Sequence, residues 1–142
     1  MDSLSASATL RWEGLHGTIE GGSGALLVRT ATQSELGGPG GASNPEELFS
    51  AALANCFTST LTSMARKRNV PLGQIETSVA TRLSWGEGSE HHLSQARLRT
   101  RVRSPAAQGD VRALIAEAFA HCPVCQAVGG HIQLELEADV LA

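Results

Sequence analysis

Three cysteines are the residues whose type and spacing most clearly indicate chemistry in this chain. Cys56 lies midway along an apolar stretch with helical periodicity, and Cys122 and Cys125 are separated by Pro123 and Val124 near the C-terminus. Two thiols on the apolar faces of different helices can form a redox pair if the fold brings their Cα atoms to within about 4.4–6.8 Å. The pattern therefore predicts a thiol enzyme that uses Cys56 and one of the other two cysteines.

The Cys-x-x-Cys spacing of Cys122 and Cys125, with His121 beside it, is also typical of metal sites. A structural zinc ion takes four ligands, however, and this pair supplies two. The further candidate ligands are Cys56, His16, His91, His92 and His131, which are scattered along the chain. We therefore favour redox chemistry and predict neither a bound metal nor a cofactor.

The two thiols of the predicted pair differ in their local support. Pro123 fits the first turn of a new helix, which places Cys122 at a helix N-terminus, where unpaired N–H groups favour a thiolate. Cys56 lies in the middle of a helix and has no such support. We therefore expect Cys56 to need a nearby cation.

The helices that position these thiols have clear boundaries in the sequence. Ser43 or Asn44 caps a long helix that has Pro45 in its first turn, and Asn69 and Pro71 stop it. Its predicted apolar stripe consists of Phe49, Ala52, Leu53, Cys56, Phe57, Thr60, Leu61 and Met64. A second helix is predicted to begin near Asp110 as its cap and to carry Cys122 on its core side.

Short runs bounded by glycine predict the strands. Residues 7–12, 17–20 and 24–30 are expected to form an antiparallel meander, followed by a glycine-rich loop over residues 35–43. Later strands are predicted over residues 75–85, 92–103 and 132–140, of which the first two flank a turn at residues 86–88. In the strand over residues 92–103, four arginines alternate with apolar residues, and we favour a solvated face opposite Glu135 and Glu137 over an anion-binding stripe.

The length and composition limit the other function classes. A chain of 142 residues with 42% hydrophobic residues predicts one domain over residues 1–142. The net charge of -3 and the pI near 5.9 argue against nucleic acid as a partner. No charged-then-apolar leader is recognisable, and no apolar run approaches the roughly 20 residues of a membrane span. We therefore expect a cytoplasmic protein with no membrane association.

Two separated segments, residues 35–57 and 120–127, carry a resemblance to a known family. The first segment begins with Glu-Leu-Gly-Gly-Pro-Gly-Gly-Ala-Ser-Asn-Pro-Glu-Glu and leads to Cys56, and the second is Ala-His-Cys-Pro-Val-Cys-Gln-Ala. Both resemble segments of the OsmC/Ohr family of thiol peroxidases. The resemblance covers nearly the whole chain. It implies an α+β fold with antiparallel sheets packed around long central helices, in an intertwined homodimer with its active sites at the subunit interface.

The resemblance also implies an activity and the residues that perform it. Organic hydroperoxides would be reduced by Cys56, with Cys122 as the resolving thiol and Glu46 as the acidic residue of the Asn-Pro-Glu motif. An external dithiol would then reduce the enzyme, and lipoyl-bearing proteins are the reductants typical of the family. Apolar walls formed by Phe49, Leu53 and Phe57 would favour hydrophobic substrates such as fatty-acid or aryl hydroperoxides.

The chain departs from the family pattern in ways that leave alternatives open. Cys125 stands where the family usually has serine, so Cys125 is a second candidate for the resolving thiol or a partner for disulfide exchange with Cys122. The family uses an arginine to stabilise the attacking thiolate, and residues 30–43 of this chain contain none. Arg11 and Arg29 are therefore the candidates for that role.

Glu46 lies about 15 Å from Cys56 along a straight helix, so it could reach Cys56 only if the helix breaks or if the partner subunit supplies it. The interfacial active site that the resemblance implies leads us to expect the second arrangement. The alternative to the peroxidase is an OsmC-like small-molecule or metal-binding module that uses Cys122 and Cys125.

Overall fold

The computed structural model describes residues 3–142, which form two compact units, one ending at Leu48 and the other extending from Phe49 to Ala142. Within the described residues there are six strands and three α-helices, so the α+β class is confirmed. The prediction of a single domain over residues 1–142 stays a prediction. In residues 3–142, no helix combines the length and the apolar character needed to cross a membrane.

The N-terminal unit contains the predicted antiparallel meander. Its strands β1 (Ala8–Glu13), β2 (His16–Gly21) and β3 (Leu27–Ala31) pair in the order β1-β2-β3. Gly14, in the tight turn between β1 and β2, has a φ of 63°, a backbone conformation that costs glycine nothing. The glycine-rich segment that follows β3 is a loop, as the sequence predicts. It contains one short 3-10 turn, Ser34–Leu36.

The long helix α1 spans Pro45–Lys67, close to its predicted bounds. The Asn44 side-chain oxygen accepts a hydrogen bond from the Glu47 N–H at 2.9 Å, which confirms Asn44 as the cap. At the other end Asn69 adopts a φ of 55°, the left-handed conformation that commonly ends helices. The boundaries of α1 therefore follow from short-range signals.

The C-terminal unit contains a mixed sheet and two further helices. Strands β4 (Ile75–Trp85) and β5 (His91–Arg103) are antiparallel, whereas β6 (Gln133–Leu141) runs parallel to β5. The prediction of purely antiparallel sheets is wrong for this last pair. Helices α2 (Gln108–His121) and α3 (Pro123–Val128) connect β5 to β6, and such a helical crossover returns the chain to the end of the sheet where β5 began.

Helix α2 begins earlier than predicted. Its cap is Ala107, whose carbonyl accepts hydrogen bonds from the N–H groups of Asp110 and Val111. Asp110 is therefore in the first turn rather than at the cap, where its charge still complements the helix dipole. Helix α3 begins at Pro123, as predicted, and ends before Gly129.

The core of the C-terminal unit is formed by one face of α1, one face of β5 and the inner face of α2. Its fully or almost fully buried members are Leu53, Phe57, Leu61, Ala65, Ala96, Leu98, Val102, Val111, Leu114, Ile115, Ala118, Cys122, Cys125 and Val140. The stripe on α1 follows i, i+4 spacing from Leu53 to Ala65, and Ala52, which the periodicity included, is exposed. Cys56 lies at the edge of this stripe and packs against the core.

The arginine-bearing face of β5 is paired with acidic residues of β6. The Arg97 Nε lies 2.8 Å from a Glu135 carboxylate oxygen, and Arg99 lies opposite Glu137 in the sheet register. Arg99 also approaches Asp139 at 3.5 Å. The predicted solvated, ion-paired face is thus confirmed.

Candidate active site

The fold of the C-terminal unit brings the three cysteines together. Cys56 on α1 is half-buried, whereas Cys122 and Cys125 are 0% and 2% exposed, and all three are free thiols. Cys122 is the residue directly before α3, and Cys125 lies in the first turn of that helix. The Cys122 thiol is close enough to Cys56 to affect its protonation. The predicted pairing of Cys56 with a thiol of the C-terminal motif is therefore compatible with the fold.

The protonation of Cys56 depends on opposing contributions. Burial raises the pKa of the Cys56 thiol, the backbone N–H of Val124 lowers it, and the neighbouring Cys122 thiol raises it again. The Thr60 hydroxyl also lowers this pKa. The net effect is a pKa above that of a free thiol, so within this unit the protonated form of Cys56 is favoured.

The Val124 contribution corrects the expectation that Cys56 has no local support. An N–H group in the first turn of α3 stabilises the Cys56 thiolate from the neighbouring helix. The Thr60 hydroxyl donates to the Cys56 carbonyl oxygen at 2.9 Å, one helical turn along α1. Cys56 therefore has hydrogen-bond donors nearby, although neither of them is a cation.

Cys125 has a different environment. Burial raises the pKa of the Cys125 thiol to about 12, and the neighbouring Cys122 and Cys56 thiols contribute in the same direction. This thiol is consequently protonated at neutral pH.

An open groove of about 510 Å³ gives access to Cys56. It is lined by Cys56, Ser59, Thr60, Ser63, Met64, Lys67, Glu117, His121 and Pro123. Cys122 and Cys125 are not among these residues. A molecule that enters the groove therefore meets Cys56 and no other thiol of the described chain.

The groove walls differ from those predicted. Leu53 and Phe57 are 0% exposed and belong to the core, so they cannot contact a ligand in the groove. Their spacing along α1 turns them away from the open side of Cys56. The apolar contacts come instead from Met64, one turn beyond Thr60, and from Pro123 at the start of α3.

The groove is also lined by polar groups of α2. Nδ1 of His121 lies 2.8 Å from the Glu117 carbonyl oxygen. Because a carbonyl only accepts, this nitrogen carries a proton and Nε2 is the ring nitrogen left for other partners. Arg68 makes a two-pronged salt bridge to the Glu117 carboxylate, which lowers the pKa of Glu117.

The other predicted site residues lie in the N-terminal unit. Gln33 joins two members of the Asn-Pro-Glu motif, because its side-chain amide donates to Glu46 at 3.4 Å and accepts from Asn44 at 3.3 Å. Arg11 and Arg29 line a cleft of about 570 Å³ on the sheet, and Arg11 pairs with a carboxylate of β2 at 3.6 Å. The roles of Glu46 and of either arginine at the thiol stay predictions.

Residues 3–142 contain no group of three or more histidine, cysteine, aspartate or glutamate side chains arranged to hold a metal ion. Sequence reasoning missed Thr60 and the Val124 N–H as parts of the site, and it named His121 only as a candidate metal ligand beside Cys122. Thr60 had a usable signal, since it stands one helical turn after Cys56. The Val124 N–H depends on how α3 approaches α1, for which the sequence has no short-range signal.

Comparisons with known proteins agree with this fold and with the motifs. A family model described as OsmC-like protein matches residues 38–137, well over half of the chain. The uncharacterized protein YmaD of Bacillus subtilis is 30% identical over 129 residues, which cover 87% of this chain and 84% of that protein. The organic hydroperoxide resistance protein-like 1 of Staphylococcus epidermidis is 26% identical over 102 residues, or 72% of this chain and 73% of that protein.

A solved structure extends the similarity to the whole fold. The crystal structure from Legionella pneumophila of a protein described as organic hydroperoxide resistance protein OsmC, a predicted redox protein, has a TM-score of 0.82 to this chain. The two chains are 29% identical, with 96% of this chain and 98% of that chain covered. Together with the matched family model, this similarity confirms the family resemblance, and the chain belongs to the OsmC-like family.

Proposed function

We propose that this protein is a cysteine-based peroxidase that reduces organic hydroperoxides to alcohols in oxidative-stress defence. The observation that carries the proposal is the placement of Cys56 at an open groove with the buried Cys122 thiol as its neighbour. One accessible thiol and one protected thiol are the two groups that such a reaction requires. Relatives named for organic hydroperoxide resistance support the same activity.

The reaction proceeds in three steps. The Cys56 thiolate attacks the terminal oxygen of the hydroperoxide, the O–O bond breaks, and the alcohol leaves with a proton while Cys56 becomes a sulfenic acid. The Cys122 thiol then attacks the Cys56 sulfur and releases water, which forms a Cys56–Cys122 disulfide. An external dithiol reduces this disulfide, and we expect a lipoyl-bearing protein in that role.

Thiolate formation is the step that this unit supports least. Burial raises the pKa of Cys56, and the Val124 N–H and the Thr60 hydroxyl offset only part of that effect. We propose that a homodimer completes the site, with Glu46 and an arginine, Arg11 or Arg29, supplied by the partner subunit. A cytoplasmic location would provide the reducing environment on which turnover depends.

The groove is consistent with a hydroperoxide that carries an apolar group. Met64 and Pro123 offer apolar contacts near Cys56, and Lys67, Glu117 and His121 line the same groove. Hydrogen peroxide would gain nothing from the apolar contacts. Aryl or fatty-acid hydroperoxides are therefore the substrates that we expect to react fastest.

Turnover of cumene hydroperoxide with dihydrolipoamide as reductant tests the proposal. Wild type would be compared with Cys56→Ser, Cys122→Ser and Cys125→Ser, each checked for folding by circular dichroism. Cys56→Ser should abolish turnover, because it removes the attacking sulfur. Cys122→Ser should permit at most a single reduction per chain unless Cys125 replaces it, and Cys125→Ser should retain most of the activity.

Two outcomes would contradict the proposal. If wild type reduces neither cumene hydroperoxide nor a fatty-acid hydroperoxide, the binding-module alternative takes its place. If Cys56→Ser keeps its activity, the attacking thiol has been assigned to the wrong residue.

A further inference from the structure

Cys125 is a buried thiol that the two-cysteine reaction does not use. It lies three residues after Cys122, in the first turn of α3, where the Gln126 N–H donates to the Cys122 carbonyl oxygen at 2.9 Å. The Cys122 thiol is within hydrogen-bonding reach of the Cys125 thiol. Cys122 has the extended conformation φ -63°, ψ 116°, and both thiols belong to the same core cluster. The two sulfurs are therefore held side by side on one turn.

Cys122 is the middle member of the three-thiol cluster. Its thiol is close enough to Cys56 on one side and to Cys125 on the other to raise the pKa of both. Only Cys56 lines the groove, so the three sulfurs form a series from the accessible Cys56 to the enclosed Cys125. A disulfide formed at the first pair can pass to the second pair without a large movement of the backbone.

We propose, on the basis of the peroxidase function above, that Cys125 is a third redox thiol that takes over the disulfide from Cys56. The Cys125 sulfur attacks the Cys122 sulfur of the Cys56–Cys122 disulfide. The Cys56–Cys122 bond breaks, a Cys122–Cys125 bond forms, and the proton of Cys125 passes to the released Cys56 sulfur. The exchange involves no net oxidation or reduction and needs no further reactant.

The surroundings of the thiols favour this direction of exchange. The leaving sulfur is that of Cys56, for which the Val124 N–H and the Thr60 hydroxyl stabilise the departing thiolate. Burial and its thiol neighbours favour the protonated form of Cys125, so its attack requires transfer of that proton to the departing Cys56 sulfur. Disulfide formation at Cys122 removes one of the influences that raise the pKa of Cys125, while burial, the largest of them, remains.

The exchange has a functional consequence. It returns Cys56 to the thiol form at the groove, where a second hydroperoxide can react before any dithiol arrives. Without reductant, each chain would then consume about two equivalents of hydroperoxide instead of about one. A dithiol in the groove first reduces the Cys56 sulfenic acid to the thiol and releases water. The reverse exchange then restores the Cys56–Cys122 disulfide, which a second dithiol in the groove can reduce.

Tryptic peptides distinguish the two disulfides directly. Cleavage after arginine or lysine places Cys56 in the peptide 30–66 and both Cys122 and Cys125 in the peptide 113–142. A Cys56–Cys122 disulfide joins the two peptides. A Cys122–Cys125 disulfide lies within the peptide 113–142 and leaves Cys56 unlinked, either as a thiol that N-ethylmaleimide alkylates or, after a second hydroperoxide, as a sulfenic acid that dimedone alkylates.

The experiment follows these peptides in the reduced full-length protein after addition of cumene hydroperoxide without reductant. In wild type the joined peptides should form first and then decline as the internal disulfide appears, with about two equivalents consumed. The matched control Cys125→Ser should stop at the joined peptides after about one equivalent. Wild type that behaves like Cys125→Ser in both respects would overturn the proposal.

A second oxidant separates this proposal from the peroxidase function. Diamide oxidises neighbouring thiols to disulfides without any hydroperoxide. If the protein fails to reduce hydroperoxides, the peroxidase function is wrong, but diamide should still convert wild type to the internal disulfide with Cys56 alkylated. Joined peptides that persist at equilibrium with diamide would contradict the exchange itself.

Discussion

The two sheets of this chain have the same number of strands and opposite burial. All six residues of β1 are exposed, whereas alternate residues of β5 from Ala96 to Val102 are completely buried against helices. The sheet of the N-terminal unit carries an apolar row across its strands, with Leu10 opposite Ile19 and Ile19 opposite Val28. The C-terminal unit thus contains its own core, while the N-terminal sheet has an apolar row that its own unit leaves uncovered.

The difference in burial indicates that the two units contribute different parts of the proposed enzyme. The thiols occupy the unit with the self-contained core, where packing fixes the distance between Cys56 and Cys122. The apolar row, with Leu10 53% exposed and Trp12 on the same face 49% exposed, is the kind of surface that a second subunit covers. Arg11 and Arg29 face each other across Thr18 on the opposite face of the sheet, and the proposed homodimer would bring one of them, with Glu46, to Cys56 of the partner subunit.

The largest effect that separates the two sheets is expected from truncation of a buried side chain. Phe57→Ala should lower the free energy of unfolding by about 3–5 kcal/mol, because the fully buried ring leaves a cavity in the core. Leu10→Ala, in the exposed sheet, should cost less than about 1 kcal/mol at protein concentrations that keep the chain monomeric. Urea titration measures both values, and equal costs would contradict the comparison.

A smaller effect is expected when charge is placed on the uncovered sheet. Leu10→Glu should weaken self-association about tenfold or more, because a buried charge in an interface is costly. Sedimentation equilibrium of wild type and variant measures this change. Leu4→Glu is the control, since Leu4 is 86% exposed and precedes β1.

An unchanged dimer in Leu10→Glu would show that the apolar row is not the interface. A monomeric wild type at every concentration would go further, because the proposed supply of Glu46 and an arginine by the partner would then fail. Peroxidase assays on the same samples would report whether dimer formation and activity change together.

The parts of this structure that the sequence predicted are those with local causes. Helix α1 follows from Asn44 and Pro45 at its start and from Asn69 at its end. The direction of β6 was predicted wrongly because parallel pairing depends on how α2 and α3 cross the sheet, and the alternation of apolar residues in β6 is the same for either direction.

The same distinction applies to the site. The cysteines themselves could be identified from their motifs, and the long-range approach of Cys122 to Cys56 was expected from two apolar helix faces that share a core. The Val124 N–H beside Cys56 depends on the position of one residue of α3, which no periodicity encodes. The burial of Phe57, predicted as a wall of the substrate site, shows that a stripe residue can belong wholly to the core.

The buried Cys125 thiol should make the free energy of unfolding fall at alkaline pH. Burial raises the pKa of Cys125 to about 12, above the value of about 8.5 for a free thiol in an unfolded chain. The folded state therefore holds this proton more tightly, and its contribution to stability is complete below pH of about 8.5 and is lost as pH rises toward 12.

Urea titrations of wild type and Cys125→Ser at several pH values from 7 to 10, under reducing conditions, test this dependence. The free energy of unfolding of wild type should decline more steeply above pH of about 8.5 than that of the variant. The two proteins should differ by a constant amount below that pH. Parallel curves over the whole range would contradict the raised pKa.

The smallest effects are expected where the two sheets are alike, on their solvated faces. Arg11 pairs with Glu20 across the N-terminal sheet at 3.6 Å, and Arg97 pairs with Glu135 across the other sheet at 2.8 Å. Both pairs are exposed, so water and salt screen the attraction and holding the long side chains in place costs entropy. Arg11→Gln and Arg97→Gln should each leave the urea midpoint unchanged within error in 0.5 M salt.

At low salt the Arg97–Glu135 pair should make a small contribution to stability that depends on pH. Arg97 lowers the pKa of Glu135 through its hydrogen bond, so this pair stabilises the folded state above the ordinary glutamate pKa of about 4.3 and loses that contribution as pH falls. A slight loss of stability in Arg97→Gln at pH 7 should therefore disappear on acidification. We expect a small loss because a core that supplies most of the stability makes exposed ion pairs dispensable. A loss as large as that of Phe57→Ala would instead mean that the sheet of the C-terminal unit depends on its surface charges.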